Sequence, residues 1–318
     1  MLLNWLEKVI HKLISVDQAA YIKVRSLSDH VLVAQEIFNK FRWSKAKGGF
    51  LAIKLNMEQA YDSMGWDALR QILSDALCLR VNRGISISRL APKVSHFLFA
   101  DDILIFSEAK VKEVKELRRI INNYYDWTGQ MVNQSKSMIL FGNNTRKRVQ
   151  KKMMKILKFK KVKEFNYPGI KMALRRLKTA DSQNLLEAAA GRLNTWGSKN
   201  ISLEGRIVLV KSAFLSLPLF MSSLTLVPLR ILKDFDKMCR SFLWSKADGN
   251  VRIHYVSWEL LCKPKCEGGR GLFSAVSKVG PLRTKFAWRF FSNPNSVLNH
   301  ILKAKYEADI WSSSVRTG

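Results

Sequence analysis

Ser95-His96-Phe97-Leu98-Phe99-Ala100-Asp101-Asp102-Ile103-Leu104-Ile105-Phe106 is the stretch on which the fold turns. His96–Phe99 and Ile103–Phe106 are short apolar runs joined through Ala-Asp-Asp, which predicts a β-hairpin, although the turn lacks the favoured Asn-Gly or Asp-Gly pair. Both runs are apolar enough to be buried, so the turn would project carboxylates from the edge of a rigid sheet. Aspartate is a common turn residue, and an Asp-Asp turn alone has a structural explanation. The chemical alternative is a cation site. Magnesium takes oxygen ligands and prefers one or two carboxylates plus substrate phosphates. Two-metal phosphoryl transfer needs such carboxylates on rigid elements, with the ions about 3.5–4 Å apart. A second strand must then bring another carboxylate to face the hairpin.

The candidate for that strand is Phe50–Leu55, an apolar run with β-branched and aromatic members. Before it, Val31, Ala34, Ile37, Phe38 and Phe41 recur at helical spacing, and Gly48-Gly49 ends that segment. After it, Trp66, Leu69, Ile72, Leu73 and Leu77 mark another helix. Beyond the hairpin, Val111, Val114, Leu117, Ile121 and Tyr124 form a helical stripe with Gly129 as its stop. Met138–Phe141 reads as a strand. Helix, strand, helix, hairpin, helix, strand is the order of an α+β layer fold.

The character changes at Arg146. Arg146–Lys163 is dense in Lys and Arg, with Met153, Met154, Ile156, Leu157 and Phe159 interleaved. It has three readings: a solvated helical face, a nuclear-localisation patch, or a phosphate-contacting surface. Beyond about Lys171 the pattern is mostly helical. Leu185, Leu186, Ala189 and Leu193 line one face, and Ile231, Phe235, Met238, Phe242 and Leu243 another. A boundary near residue 170 divides the chain into 1–170 and 171–318.

Composition narrows the function classes. The chain has 318 residues, enough for two packed domains, and 47% of them are hydrophobic, enough for a core. Lys and Arg number 54 against 25 Asp and Glu, a formal charge of +29. Such a surface repels itself unless a polyanion neutralises it. Nucleic acid is the first candidate, because phosphate neutralisation releases counterions. An anionic membrane surface is the second. Cys78, Cys239, Cys262 and Cys266 form no disulfide framework, which fits a reducing compartment. Met1–Leu13 reads as an amphipathic helix and not a signal peptide. Ser212–Leu229 approaches the length of a membrane span, but Pro218, Pro228 and several hydroxyls point to a buried, broken helix. An intracellular protein of the nucleus or cytoplasm, with no membrane partner, is the expectation.

The residues around the candidate strand carry a resemblance. Ile53-Lys54-Leu55-Asn56-Met57-Glu58-Gln59-Ala60-Tyr61-Asp62, followed by Trp66, resembles the Leu-Asp-Met-x-x-Ala-Tyr-Asp segment of non-LTR (LINE-type) retrotransposon reverse transcriptases, especially the plant lineage. Ser95–Asp102 is similar to their Ser-His-x-x-Phe-Ala-Asp-Asp segment. Gly129–Ser137 resembles their Gly-x-x-x-Asn-x-x-Lys segment, and Tyr167-Pro168-Gly169 their Tyr-Leu-Gly primer grip. Ser257-Trp258 and Leu261–Lys265 look like the plant lineage downstream of the polymerase core. The likeness covers nearly the whole chain.

The resemblance implies a reverse-transcriptase-like fingers and palm remnant over 1–170. A mostly helical thumb and a basic C-terminal region would follow over 171–318. It implies RNA-directed DNA polymerase ancestry with Mg²⁺ as cofactor, an RNA template, a DNA primer and deoxynucleotides as partners. Asp101 and Asp102 would be catalytic metal ligands, with Asn56 at the third metal position. Tyr61 would be the steric gate at the nucleotide. Lys136 would donate the proton to leaving pyrophosphate. For Tyr61 the bland alternative is a core aromatic, and for Lys136 a solvated lysine.

Three departures bear on activity. Position 56 is Asn where the family has a metal-binding Asp, and an amide brings no negative charge. Losing a principal electrostatic element costs on the order of 10³-fold in rate. Leu77–Gly84 joins the Trp66 helix to the Ser95 strand almost directly, where the family has a long segment with a Gly-x-x-Gln-Gly-x-Pro-x-Ser-Pro block. The family pattern also places the start of the chain inside the fingers, without the upstream endonuclease, and its end before any RNase H-like domain. A catalytically degenerate reverse transcriptase is therefore the first reading. A non-enzymatic, basic nucleic-acid-binding protein is the second, and a chain without selected function the third.

Other candidates are weaker. Cys262 and Cys266 with His254 lack a fourth ligand for zinc, which favours free thiols. Gly268-Gly269-Arg270-Gly271 lacks the ending of a phosphate loop. Trp127, Trp196 and Trp244 could stack bases or fill cores.

Overall fold

The structure is a computed structural model describing residues 27–46, 48–58, 84–99, 102–129, 131–167, 169–196, 201–244 and 254–312. The expected helices at Met1–Leu13 and Trp66–Leu77 lie outside the described residues, as do Tyr61, Asp62, Cys78, Asp101 and the side chains of Leu193 and Trp196. The described residues form two compact units. One runs to Arg176 and resumes at Pro294, and the other is Leu177–Asn293.

The first unit is an α+β layer structure. Helix α1 (Leu27–Trp43) precedes strand β1 (Phe50–Asn56). Short strands β2 (Ile85–Ser86) and β3 (Lys93–Val94) lead into β4 (His96–Phe99) and β5 (Asp102–Glu108). Then come α2 (Val111–Thr128), β6 (Met138–Phe141), α3 (Lys147–Leu157) and β7 (Lys160–Lys161). A hairpin of β8 (Glu164–Tyr167) and β9 (Ile170–Ala173) closes the series. The main sheet has the order β4-β5-β1-β6-β7, so β1 is central, as its apolar run predicts.

Side chains alternate across this sheet. Leu51, Ile53 and Leu55 of β1, with Met57 just beyond it, join Ile103 and Ile105 of β5 in a core beneath α2 and α3. Val114, Leu117, Ile121 and Tyr124 of α2 fill it from above, the stripe read from their spacing. Gly129 ends α2 in the left-handed conformation that a Cβ disfavours, its N–H donating to Tyr125 O. The other face holds aromatic rings. Phe41 stacks on Phe50 with centroids 5.3 Å apart, and Phe38 meets Phe106 and Phe165 edge-on. These contacts seat α1, and they bring the β8–β9 hairpin to the face that carries Lys54 and Asn56.

The basic stretch resolves into an amphipathic helix. Met153 and Leu157 of α3 are fully buried while Lys147, Arg148, Lys151, Lys152 and Lys155 are exposed. Lys158 ends α3 at φ 61°. That left-handed turn drops Phe159 into the core and delivers Lys160-Lys161 to the edge of β6.

The second unit is helical: α4 (Gln183–Trp196), α5 (Leu203–Leu209), α6 (Ser216–Leu224), α7 (Leu229–Leu243), the single turn α8 (Trp258–Leu261) and α9 (Ala275–Ser292). Its core gathers Leu185, Ala189, Phe214, Ile231, Phe235 and Leu243, so most of the predicted stripes meet there. A π-helical turn at Val210–Phe214 joins α5 to α6 and breaks the regular ladder, as a broken helix requires. Leu203–Leu224 is long and apolar enough to cross a membrane by length and composition, with a third of its most apolar window buried in the protein. The last helix, α10 (Val297–Ser312), returns to the first unit and packs on α1, where Lys305 pairs with Glu36.

Candidate functional site

The site forms where β1, β5 and the turn before β6 end together. Strands β1 and β5 run antiparallel, with Asn56 directly opposite Asp102. The β4–β5 pairing sets Phe99 opposite Asp102. Asp102 therefore stands at the first residue of β5, on the same face as Asn56. Period-two alternation puts Lys54 on that face as well.

Lys54 occupies this face in a way the sequence reading did not anticipate. Its Nζ lies 2.8 Å from Asp102 Oδ2 and donates to Asn166 O on β8 at 3.0 Å. The two side chains are only 17% and 15% exposed, which shields the pair from solvent. Asn56 Nδ2 donates to Asp102 Oδ1 at 3.4 Å. Both Lys54 and Asn56 thus present N–H groups to the Asp102 carboxylate. The signal was legible: Lys at position 54 and Asn at 56 share one face of any strand.

The Asn-x-x-Lys segment folds as a turn against the same end of the sheet. Asn133 Oδ1 accepts from Lys136 N at 3.1 Å and from Ser135 Oγ at 2.6 Å, while Ser137 N donates to Asn133 O at 2.9 Å. Asn133 N donates to Asn56 O at 2.8 Å, and Ser137 Oγ accepts from Asn56 N at 3.1 Å. The Asn133 side chain is the clamp that shapes the turn, and Lys136 extends from it into solvent. Lys136, Asn56 and Asp102 are thereby gathered at one end of the sheet. Asp101 and Tyr61 lie outside the described residues.

Tyr167, quoted above within the Tyr-Pro-Gly segment, also belongs to this region. It closes β8 before the turn at Gly169, is fully buried, and its hydroxyl makes no hydrogen bond among the described residues. Burial and then the nearby Asp102 carboxylate push its phenol well above the usual range, so it stays protonated.

This donor set suits an ammonium better than a divalent ion. Magnesium requires oxygen ligands, but Asp102 Oδ2 is taken by Lys54 and the Asn56 amide donates to Oδ1. Among the described residues no group of three or more His, Cys, Asp or Glu could hold a metal ion. The Cys262–Cys266 candidate belongs to the same statement. Burial, with the Asp236 and Glu259 carboxylates behind it, pushes the Cys262 thiol up to about 12, so without a metal it stays protonated. Cys239, Cys262 and Cys266 are free. Of the tryptophans, Trp127 is 71% exposed, whereas Trp244 packs edge-on against Tyr255.

No family model matches the chain. A protein of Arabidopsis thaliana named "Putative ribonuclease H protein" is 35% identical over 122 residues, covering 38% of this chain and 20% of that protein. A second Arabidopsis thaliana protein, named "Uncharacterized mitochondrial protein", is 26% identical over 93 residues, covering 29% of this chain and 60% of its own length. The chain therefore spans a fifth of the first relative and less than two thirds of the second, and each likeness is partial.

Proposed function

We propose that this protein is a retroelement-derived reverse transcriptase domain that has lost polymerase chemistry and retains nucleic-acid binding. The observation that carries the reading is the Asn56–Asp102 pair: a palm-like β1–β5 register in which an amide stands where the resembled family has a carboxylate. The β8–β9 hairpin would be the former primer grip, the Asn133–Lys136 turn the former leaving-group element, and Leu177–Asn293 a helical thumb. The relative named for ribonuclease H supports a retroelement-related origin.

Chemistry fails in this reading for a stated reason. Phosphoryl transfer is positioning plus charge stabilisation. Lys54 neutralises the Asp102 carboxylate, and Asn56 adds no charge. Nucleic-acid binding survives because it needs only a folded cationic surface, and the formal charge is +29.

Primer extension on an RNA template with Mg²⁺ or Mn²⁺ tests the loss of chemistry. The expected result is no product above background. Extension that Asp101→Ala abolishes would overturn it.

A further inference from the structure

The pairing of β6 with β7 covers only Met138 and Ile139. Val162 N still donates to Ile139 O at 2.9 Å, and then the chain turns away toward β8. Among the described residues, no strand pairs with Leu140 and Phe141 on that side. Gly142 N donates to Phe50 O, so the even positions of β6 bond to β1. Alternation then directs the main-chain N–H and C=O of Phe141 to the side where β7 has ended. A groove of about 850 Å³ opens there, a size typical of ligand sites.

Its lining is divided by chemistry. Leu140, Val162 and Leu174 make an apolar floor, while Lys161, Lys163 and Arg175 stand around it. Asn143 and Gln150 add two side-chain amides. Glu164 is the one acid in the lining, and it is already paired with Arg175 at 2.8 Å and Lys171 at 3.2 Å. Lys161 donates to Gln150 Oε1 at 2.7 Å, which holds its ammonium at the groove while leaving further N–H groups to donate. The surroundings reinforce the sign: no Asp or Glu occurs between Asp126 and Glu164, and the exposed lysines of α3 adjoin the groove through Gln150.

We propose that this groove is a binding site for single-stranded nucleic acid, separate from the Asp102 end of the sheet. The ligand must be anionic along its length, to meet Lys161, Lys163 and Arg175. It must also offer flat apolar faces for the floor, with polar edges for Asn143, Gln150 and the Phe141 main chain. A nucleotide strand has all three. An acidic peptide could use the open strand edge but would leave the amides and floor poorly matched. The proposal rests on the nucleic-acid-binding reading above and assigns that binding to a place.

The test is fluorescence anisotropy of the full chain with a labelled single-stranded RNA, and separately DNA, across a salt series. Lys161→Ala, Lys163→Ala and Arg175→Ala combined should weaken binding about 10-fold or more at moderate salt. The log–log salt slope should fall by about 2, at roughly 0.7 per single-strand phosphate contact. A control triple in the helical unit, Lys233→Ala, Lys237→Ala and Lys278→Ala, should change both far less. Leu174→Trp fills the floor and keeps every charge, so it should weaken binding with the slope unchanged. Equal losses in the two triples would overturn the groove while leaving nucleic-acid binding intact. Absence of binding by the wild-type chain would overturn both. Competition by polyglutamate at lower concentration than by the oligonucleotide would assign the groove to an acidic peptide instead.

Discussion

Lys54 and Asp102 are diagonal neighbours across strands β1 and β5, with the ammonium 2.8 Å from the carboxylate. Residue 54 lies two positions before Asn56, which faces Asp102 directly. A lysine side chain spans that diagonal easily. The pair gives the sheet end an internal countercharge.

Breaking one half of that pair should cost more than removing both. Lys54→Met leaves a shielded carboxylate without its ammonium and should destabilise the protein by about 1–3 kcal/mol. The double variant Lys54→Met, Asp102→Asn should recover part of that loss. A double-mutant cycle from urea unfolding measures the coupling. A coupling near zero would mean the pair is an incidental surface contact.

Asn56→Asp places a second carboxylate opposite Asp102. It should raise Mn²⁺ affinity at least about 10-fold over the wild-type chain, since each added carboxylate suits a hard divalent ion. Room-temperature electron paramagnetic resonance of free Mn²⁺ reads the bound fraction directly. Equal binding by both proteins would show that Lys54 alone, or residues elsewhere, decides the metal response.

Tyr167→Phe removes a buried hydroxyl that has no hydrogen-bond partner among the described residues. Burying an unsatisfied polar group costs about 1–3 kcal/mol. The substitution should therefore be neutral or stabilise by up to about 1 kcal/mol, read as a rise in Tm. A clear loss of stability would show that the hydroxyl has a partner.

Asp236 supplies the pH dependence of the helical unit. Its carboxylate is buried in α7, accepts from Ala275 N at 2.8 Å and from the Ser274 hydroxyl, and so fixes the start of α9. Burial raises its pKa above the ordinary 3.8, against the lowering effect of those hydrogen bonds. A raised folded-state pKa means that the folded protein holds the proton more tightly. The associated stability is complete below 3.8 and is lost as the pH rises through the raised value. Asp236→Asn does not titrate, so its Tm relative to wild type should climb as the pH goes from about 4 to 7. A difference that stays flat with pH would contradict the assignment.

Much of this fold was legible in the residues. The α1 and α2 stripes, the central β1, the β4–β5 hairpin and the β6 strand all follow from apolar spacing, because each element buries one continuous face. The basic run was harder, since its periodicity shows α3 but not its end. That end depends on Lys158 adopting φ 61°, a conformation that neighbouring packing imposes on a residue with no preference for it. In the site, Asn56, Asp102 and Lys136 are brought to one end of the sheet. The shared face of Lys54 and Asn56 could be read from alternation, but the pairing of Lys54 with Asp102 depends on strand register, which adjacent residues do not encode. Tyr167 stood out through its Tyr-Pro-Gly segment, but its burial is set by where the β8–β9 hairpin packs.

The most direct measurement of the central claim is the affinity of the purified chain for an RNA–DNA primer–template as a function of salt. The account predicts tight binding at low salt and a log–log slope steeper than about −3, as several phosphate contacts release counterions. Removing Mg²⁺ with EDTA should leave the affinity undiminished or raise it, because the divalent ion only competes with the cationic surface for phosphates. A flat salt slope, or binding that requires the divalent ion, would contradict it.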